Sequence, residues 1–584
     1  MWSFTGRYPT KTCEEVSRQK YDYIIVGGGT AGCAIASRLS EDSSLRVLLL
    51  EKGPLANSWF TKVPLLSSVT DKSYVASRYT ESGTQPNNRR IRLYAAEAMG
   101  GDSRINGMLW TRGIPAYYNQ WARRGYPTWD WAHVGPYFAR IENRVHDTTG
   151  DRPAENGPLQ ILRYAPVFEL YSYMKKSAAA LGLSTISNGD SLKDPGTGFY
   201  DLDYTIDSHG YRHSAFDAYL PQHLAIQRQG WLHICPNATV SRLALETTQD
   251  CVTGVFIRSL NGRDELLVKV NREVILSCGS IRTPQLLQLS GIGPAPLLRQ
   301  HGIQVVCDLE GVGLGLKDHA TIPVLVELPF HQTIHLLEKS PLQALKHVLL
   351  FAISGSGWLK SPVMTSTIYM NTSHLKPDGS GVQRADLSNV APKIPDAEVM
   401  VIAACAAQEP QVGKSTMTLL TCINQPKSSG SIKIRSRDPL TDPAIVLNCL
   451  SHPHDRSVAR KALRFTLHLA DHFMEHSGYN HPTSLLLAPN AGKGKLWSEL
   501  SDEELDEYAD ANVAAAYHLV GSCRMDDARN GGVVDDELRV HGFRNLRIAD
   551  ASIFPTATAS HPMASVYMVA ERCADFVTEA WKAA

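Results

Sequence analysis

The stretch that decides the fold runs from Tyr21 to Pro54 and reads YDYIIVGGGTAGCAIASRLSEDSSLRVLLLEKGP. It opens with an apolar run rich in β-branched residues, Tyr23–Val26, which predicts a β-strand. An apolar pattern with helical spacing follows, and a second apolar run, Arg46–Leu50, predicts another strand. The stretch therefore predicts a strand–helix–strand unit of the kind that binds nucleotides.

Three glycines between the first strand and the helix have the spacing Gly27-x-Gly29-x-x-Gly32. Gly27 permits a tight turn, Gly29 lets the backbone approach a pyrophosphate, and Gly32 lets the helix pack closely on the strand. The helix N-terminus at Thr30 and Ala31 offers free N–H groups and a positive dipole end to the phosphates. A glycine-rich loop of another α/β domain is the alternative, but the ordered strand, helix and strand favour a dinucleotide site.

Glu51 closes the second strand, 19 residues after Gly32. A carboxylate at this position accepts hydrogen bonds from ribose hydroxyls. Because an acid rather than a basic residue stands there, a 2′-phosphate is disfavoured. The motif therefore disfavours NADP and leaves FAD and NAD as candidates.

The composition is that of an ordinary globular protein. The chain has 584 residues, of which 43% are hydrophobic and 20% charged, and its 58 Lys+Arg balance 58 Asp+Glu. This length predicts roughly two to four domains. Zero net charge argues against nucleic acid or an anionic membrane surface as a partner, and favours a small or neutral substrate.

Targeting and metal signals are missing from the sequence. Residues 1–20 are polar and charged, and no run of about 18 apolar residues is long enough to cross a bilayer. We therefore expect a cytoplasmic protein without a signal peptide or transmembrane segment. The 11 cysteines form no CxxC pair, and the histidines lack a third ligand at metal-binding spacing, so we expect no metal site. The sequence does not indicate an oligomeric state.

Strand patterns continue after residue 230. The runs His233–Val240, Cys251–Arg258 and Leu266–Leu276 are expected to extend the nucleotide-binding sheet or its flanking ribbon. A helix pattern follows Cys278, and Pro284 suits the first turn of that helix.

Residues 311–510 lack glycine-rich nucleotide signals and predict a second domain, with helices packed on an antiparallel sheet. One helix pattern lies around Leu342–Phe351, and another contains Val458 and Leu469. The predicted strands are Ala397–Ala403, Thr416–Cys422 and Ser431–Arg435.

Two histidines near the C-terminus, His518 and His561, follow small or polar residues and precede apolar ones. When hydride leaves a carbinol carbon, the hydroxyl proton must leave as well. A neutral imidazole is able to accept that proton, and a second donor is able to stabilise the developing alkoxide. On spacing alone, two buried histidines with a structural role are the favoured interpretation.

With these motifs in place, the chain resembles the glucose–methanol–choline (GMC) family of FAD-dependent oxidoreductases. The resemblance covers Tyr21 to Val577; Gly279–Gly293 matches one family signature fully, and Ala96–Arg112 is similar to the other. Further family-like segments are Gly311–His319, Gln425–Gly430 and His518–Glu571.

The resemblance implies non-covalent FAD in an extended form, with Glu51 on the adenosine ribose and the Val240 backbone near the adenine. It implies that His518 is the catalytic base and that His561 holds the second catalytic position. The other cofactor contacts that it implies are Gly100, Gly101, Ser103, Asn106 and Gly107 along the pyrophosphate and flavin, and Asp550, Ala551, Pro562 and Met563 beside the isoalloxazine.

Two acids depart from the family pattern. Glu97 stands where relatives usually place a basic residue, and Asp102 stands within the Gly-Gly-Ser-Ser position. An acid beside a pyrophosphate is unfavourable unless it points away or is protonated, so the usual contacts are in question there. We expect Arg104 to offset the charge of Asp102. Some relatives link FAD covalently through a histidine in this stretch; Arg104-Ile105-Asn106 holds none, so FAD is expected to be non-covalent.

The fold class that follows is α/β (α+β overall), with a Rossmann-like FAD-binding domain and a second, substrate-binding domain. We expect residues 1–154, 226–310 and 511–584 to form the FAD-binding domain. Residues 155–225 and 311–510 are expected to form the substrate-binding domain.

The leading functional hypothesis is oxidation of a primary or secondary alcohol by hydride transfer to flavin N5, with His518 as base and oxygen or another electron acceptor. Intracellular secondary (natural-product) metabolism fits the missing signal, and the substrate pocket is expected from residues 55–90 and the second domain. The alternative is a GMC-fold biosynthetic enzyme that performs a redox-neutral cyclisation or dehydration with bound FAD. A flavin-storage protein ranks last, because both histidines are present.

Overall fold

The structure is a computed structural model. It describes residues 7–66, 73–83, 86–145, 156–186, 196–246, 250–259, 262, 264–383, 394–409 and 411–582. Parts of the predicted pocket segment 55–90, namely residues 67–72 and 84–85, lie outside the described residues.

The first strands, in chain order, are β1 Lys20–Val26, β2 Val47–Leu50, β3 Val75–Tyr79, β4 Arg92–Ala96, β5 Leu109–Trp110, β6 Glu142–Arg144, β7 Leu159–Arg163, β8 Thr185–Ile186, β9 Gly198–Asp201, β10 Asp203–Tyr204, β11 Leu232–Cys235, β12 Ala238–Leu245 and β13 Val252–Ser259. The later strands are β14 Leu266–Leu276, β15 Ile292–Gly293, β16 Cys307–Asp308, β17 Leu314–Leu316, β18 Ala320–Glu327, β19 Ser366–Met370, β20 Ala397–Ile402, β21 Thr416–Ile423, β22 Gly430–Lys433, β23 Ala444–Val446, β24 Ser484–Leu487, β25 Ala514–Ala515 and β26 Leu546–Ile548.

The α-helices are α1 Cys13–Ser17, α2 Thr30–Leu39, α3 Pro115–Arg123, α4 Trp131–Ile141, α5 Leu170–Ala180, α6 Ala215–Tyr219, α7 Gln222–Arg228, α8 Gly279–Leu289, α9 Ala295–Gln300, α10 His335–Lys339, α11 Pro341–Ser354, α12 Pro453–Glu475, α13 Asp502–Asn512 and α14 Met563–Lys582.

The first large sheet contains the predicted strand–helix–strand unit. Its order is β11-β2-β1-β14-β13-β12, with β26 paired to β14. The pairs of β1 with β2 and β14 are parallel, whereas β12, β13 and β14 form an antiparallel ribbon. The prediction that the later strands extend this sheet or its ribbon is confirmed. The run His233–Val240 is two strands rather than one, because Asn237 turns the chain with a left-handed φ of 57°.

The second large sheet has the order β24-β18-β21-β20-β19-β9-β8, with β25 paired to β18. Its pairs are antiparallel except β8 with β9, and helix α12 packs on β20 and β21. An antiparallel sheet with helices on it was predicted and is confirmed. The predicted strand Ser431–Arg435 corresponds to β22, which lies instead in a small separate sheet with β17 and β23. The division into five domain segments stays a prediction.

Helix α8 joins the first sheet to the histidine segment. Pro284 lies in its second turn rather than its first, because the helix already begins at Gly279. A proline there removes the N–H that would bind the Ser280 carbonyl. The Ser522 hydroxyl donates to that carbonyl instead, at 2.7 Å, and the Ser280 hydroxyl donates to the Leu519 carbonyl at 2.6 Å. The segment that follows His518 therefore replaces the backbone hydrogen bond that Pro284 cannot make.

Helix α11 contains the apolar run predicted around Leu342–Phe351. His347 and Phe351 are buried, whereas Leu342 and Ile353 are 75% and 83% exposed, so much of its apolar side faces outward. Among the helices of the described residues, none combines the length and hydropathy that crossing a membrane requires.

Candidate active site

A cavity of about 1170 Å³ is lined by residues of both large sheets. It extends from the glycine turn after β1 to the two C-terminal histidines, so it brings together sequence positions that are hundreds of residues apart. The predicted site residues that line it are Gly27, Gly29, Thr30, Ala31, Glu51, Gly101, Asn106, Gly107, Val240, His518, Asp550, Ala551, His561, Pro562 and Met563.

Three predicted residues do not line the cavity, namely Gly32, Gly100 and Ser103. A Cβ on Gly32 would lie 1.9 Å from the Gly27 carbonyl oxygen, so Gly32 allows α2 to pack against the turn. Gly100 has a φ of 95° and donates its N–H to the Gly28 carbonyl. The Ser103 hydroxyl donates to the Gly100 carbonyl and accepts from the Ala215 N–H, at 2.5 and 3.0 Å. These residues shape the site, and their contact with a pyrophosphate stays a prediction.

The glycine turn has the geometry of a phosphate cradle. A Cβ on Gly27 would lie 2.5 Å from the Ser277 carbonyl oxygen, so only glycine fits this turn. Gly29 is the N-cap of α2 and supplies no side-chain cap. The first N–H groups of α2 therefore have no side-chain acceptor at the cap, and Thr30 and Ala31 line the cavity. Together with the dipole of α2, this arrangement suits an anionic pyrophosphate.

Glu51 lies beside the glycine turn. Its Oε2 accepts the Gly28 N–H and its Oε1 accepts the Gly53 N–H, each at 2.8 Å. Burial raises the pKa of Glu51, and the two N–H groups counter that effect by stabilising the carboxylate. Each oxygen keeps acceptor capacity for a ribose hydroxyl. The residues at this end of the cavity therefore fit the adenosine part of FAD.

The two unusual acids have local partners. Burial alone would raise the pKa of Glu97, but Arg78, Lys52 and Arg282 together lower it to about 2. Asp102 lines the cavity, and its Oδ1 accepts the Ala96 N–H at 2.7 Å. Glu97 is therefore held by basic side chains that follow β2 or belong to β3 and α8, and Asp102 is held by the end of β4.

The expectation that Arg104 offsets Asp102 is wrong. Arg104 is buried and donates instead to the carbonyls of Met99, Ala56 and Leu55, while its guanidinium lies 4.9 Å from the centre of the Phe216 ring. Arg104 therefore ties the chain segment at Leu55 and Ala56 to Met99.

Asp550 joins the N-terminus of α8 to the C-terminal segment. It accepts the Gly279 N–H at 2.9 Å, the Thr283 hydroxyl at 2.6 Å and the Ser552 N–H at 2.8 Å. Burial raises the pKa of Asp550, and these three donors favour its charged form. Its carboxylate thus positions the backbone of Ala551 at the cavity wall.

His518 and His561 lie side by side at the other end of the cavity. Their ring centres are 4.6 Å apart and their planes are inclined at 77°. Burial lowers the pKa of His518 well below its usual value, and the neighbouring His561 and His319 add to this effect. His518 is therefore a neutral imidazole at physiological pH, which is the form that accepts a proton.

A third histidine determines which nitrogen of His518 carries the proton. His319 Nε2 lies 2.9 Å from the Thr558 carbonyl oxygen, which only accepts, so Nε2 carries a proton. Burial lowers the pKa of His319 to about 4, so the ring is neutral and its Nδ1 is an acceptor. That Nδ1 lies 2.9 Å from His518 Nδ1, which must therefore donate. The proton of His518 is on Nδ1, and the Nε2 lone pair is free for a ligand.

His561 has a carboxylate behind it. Its Nε2 lies 3.2 Å from Glu398 Oε1, which also accepts the Thr367 hydroxyl at 2.7 Å. Glu398 is fully buried and belongs to β20. Because Nε2 donates to the carboxylate, only Nδ1 of His561 remains to contact a ligand.

The sequence reasoning did not assign roles to His319, Glu398 or Asp318. Asp318 Oδ1 accepts the backbone N–H of His518 at 2.7 Å, and burial raises the pKa of Asp318 to about 7. A usable signal existed for Glu398, because a carboxylate inside the apolar run AEVMVIAA is rarely buried without a partner. Within the described residues, no group of three or more His, Cys, Asp or Glu side chains is placed to hold a metal ion.

Comparison with known proteins decides the family. A family model described as GMC oxidoreductase matches residues 21–321, and a second GMC oxidoreductase model matches residues 426–570. The chain belongs to the GMC oxidoreductase family. It is an FAD-dependent oxidoreductase, which confirms the predicted family, enzyme class and cofactor.

Individual GMC relatives cover almost the whole chain. The oxygen-dependent choline dehydrogenase of Rhizobium etli is 32% identical over 566 residues, which is 95% of each chain. A variant of formate oxidase from Aspergillus oryzae superposes with a TM-score of 0.83 at 25% identity and covers 97% of this chain and 99% of its own. Pyridoxine 4-oxidase from Mesorbium loti superposes with a TM-score of 0.78 at 26% identity, with coverages of 95% and 98%.

The position of Glu51 predicts its effect on FAD retention. Glu51→Gln keeps the side-chain size but loses the charge, and its amide donor faces a backbone N–H on one side. Because hydrogen bonds to charged groups contribute about 1.5–3 kcal/mol, we expect FAD affinity to fall by about 10-fold to 100-fold. The flavin-to-protein ratio after dialysis measures this loss. Glu41→Gln, at an exposed acid just beyond α2, is the control, and full flavin occupancy in Glu51→Gln would exclude the ribose role.

Proposed function

We propose that this protein oxidises a primary or secondary alcohol, with His518 as the base that accepts the hydroxyl proton. The observation that carries the proposal is the hydrogen-bond chain from the Thr558 carbonyl through His319 to His518. These hydrogen bonds support an unprotonated Nε2 on His518. His518 and the predicted FAD-binding glycine turn line the same cavity.

The cofactor contributes the redox chemistry and the chain contributes the proton chemistry. When bound, FAD supplies the acceptor for the hydride. The residues that would hold it are the glycine turn, the N-terminus of α2 and Glu51 at one end, and Asn106, Ala551 and Pro562 near the histidines. Non-covalent binding stays a prediction from the residues around Arg104.

The two histidines divide the work on the substrate hydroxyl. Nε2 of His518 accepts the hydroxyl proton as the carbon–hydrogen bond weakens. His561 lies beside His518 and is held at Nε2 by the Glu398 carboxylate, and its proposed part is to stabilise the oxygen of the developing alkoxide.

The finer assignments rest on sequence alone. Oxygen or another electron acceptor, a cytoplasmic location and a role in natural-product metabolism all stay predictions. The redox-neutral alternative depended on the unusual Glu97 and Asp102. Both carboxylates have local partners, and no observation among the described site residues favours that alternative.

Removing the base tests the proposal directly. His518→Ala should slow flavin reduction by an alcohol by roughly 10²-fold or more, which is the usual contribution of a general base. FAD content should stay unchanged, because the substitution leaves the glycine turn and Glu51, which would hold the pyrophosphate and ribose, untouched. Anaerobic stopped-flow absorbance measures the rate. His209→Ala, at an exposed histidine, is the control, and unchanged reduction in His518→Ala would remove this residue from the mechanism.

The hydrogen-bond chain predicts different effects for two substitutions of His319. His319→Gln keeps an acceptor for the His518 Nδ1 proton and a donor for the Thr558 carbonyl, whereas His319→Leu keeps neither. We expect the leucine variant to reduce its flavin about 10-fold to 100-fold more slowly, with little change in alcohol affinity, and the glutamine variant to retain most of the rate. Equal rates in both variants would show that His319 only fills space.

The lowered pKa of His518 sets the expected pH dependence. A base acts in its deprotonated form, so a lowered pKa keeps His518 active at more acidic pH values. The rate of flavin reduction should be constant from neutral pH upward and fall only in acid, with a midpoint below the usual histidine value of 6.5. A midpoint above about 7 would contradict a neutral, buried His518.

A further inference from the structure

The cavity wall beside His561 is one face of the second large sheet. Glu398 contacts His561 from β20, and strand residues two positions apart share a face. Met400 and Ile402 therefore lie on the same face, and Leu420 on β21 is the register partner of Met400. Met400, Ile402 and Leu420 all line the cavity. This wall is polar beside the histidines and becomes apolar at the next residues on the same strand face.

Further lining residues, from outside β20 and β21, continue the apolar surface. Met108, Leu109 and Met364 belong to the same buried cluster as Met400 and Leu420, and all of them line the cavity. Ala516, two residues before His518, packs against this cluster. Thioether side chains are flexible and adapt to apolar ligands of irregular shape. The space next to the base is therefore a methionine-rich apolar chamber.

The carboxylates at the cavity are already used elsewhere. Among the described lining residues they are Glu51, Glu97, Asp102 and Asp550. Each accepts hydrogen bonds from backbone N–H groups or from basic side chains in the nucleotide part of the cavity. Glu398 is fully buried behind His561 and does not line the cavity. No carboxylate in the described wall is placed to balance a cation in the apolar chamber.

The charge at the cavity edge has the opposite sign. Tyr517, the residue before His518, lies with its ring centre 5.7 Å from that of Tyr94, and both line the cavity. The Arg92 guanidinium already lies over the Tyr94 ring, 5.8 Å from its centre, and donates to the Tyr94 hydroxyl. One of these two rings, Tyr94, therefore already has an arginine where an alkylammonium group would otherwise lie.

We propose that the substrate is an uncharged alcohol with an apolar body, and that alcohols with a quaternary ammonium group are rejected. This inference rests on the proposed alcohol oxidation and adds the substrate class to it. The proposed substrate of this protein therefore differs from choline, the compound in the name of the 32% identical relative choline dehydrogenase. A cation in the chamber would lose its hydration without gaining a counter-charge, whereas an apolar group of the same shape gains from burial.

A pair of isosteric alcohols tests the substrate class on the FAD-loaded protein. Choline and 3,3-dimethylbutan-1-ol have the same shape and differ in a charged nitrogen against a neutral carbon. We expect the second-order rate constant of anaerobic flavin reduction to be at least about 100-fold larger for the neutral alcohol. Titration of the flavin spectrum with each compound gives the affinities separately and should show the same order.

The outcomes separate this inference from the proposed function. Reduction by choline at a rate equal to or above that of its neutral isostere would overturn the inference and leave alcohol oxidation standing. Reduction by neither compound, nor by 1-hexanol or benzyl alcohol, would overturn alcohol oxidation and this inference with it.

A substitution in the wall gives a second test. Met400→Ala removes apolar contact from the chamber, and we expect about a 10-fold lower rate constant for 3,3-dimethylbutan-1-ol, with ethanol affected much less. FAD content reports whether the variant folds. Leu349→Ala, on the exposed side of α11, is the control outside the cavity. If Met400→Ala lowered the rate constants for both alcohols equally, Met400 would not recognise the apolar body of the substrate. That result would contradict the proposed role of the apolar chamber.

Discussion

The hydrogen bond from His319 Nε2 to the Thr558 carbonyl determines which nitrogen of His518 carries its proton. A carbonyl cannot donate, so the proton order in the chain of rings is set from its buried end. The arrangement depends on His319 staying neutral, and burial lowers its pKa to about 4. If His319 were protonated, both of its nitrogens would donate, and His518 would have to turn its lone pair inward. Burial of one ring therefore keeps the neighbouring ring a base.

The chain of rings exists because sheet register brings distant segments together. His319 directly precedes β18, and β25, which leads to His518, pairs with the start of β18. The Ala516 N–H donates to the His319 carbonyl at 3.0 Å and continues that pairing up to the ring. After His518, the Ser522 hydroxyl donates to the Ser280 carbonyl of α8, which Pro284 leaves without a backbone donor. His518 is thus held between the antiparallel sheet and the helix that follows the nucleotide strand β14.

The parts of the fold that the sequence predicts are those whose signal is local. The strands and helix of residues 21–54 each leave a periodic pattern, and Gly32 is required by its contact with the Gly27 carbonyl only five residues earlier. The partners of the histidines leave no such pattern, since Glu398 lies 163 residues before His561 and is one residue of an apolar strand. Arg104 shows the same limit. Its nearness to Asp102 in sequence suggested an ion pair, but backbone carbonyls surround its guanidinium.

Substrate class is set by fewer residues than fold or cofactor. The cofactor depends on a backbone turn that only glycine fits, and an alteration there would disturb α2 and β1 together. The chamber depends on side chains such as Met400 and Leu420, whose backbone pairing is the same whatever their chemistry. Charged side chains at the cavity depend on their partners in the same way. The acid Glu97 is accommodated there because Lys52, Arg78 and Arg282 form ion pairs with it. The glycine turn is therefore constrained by the backbone around it, whereas the substrate class depends on side chains that the backbone does not constrain.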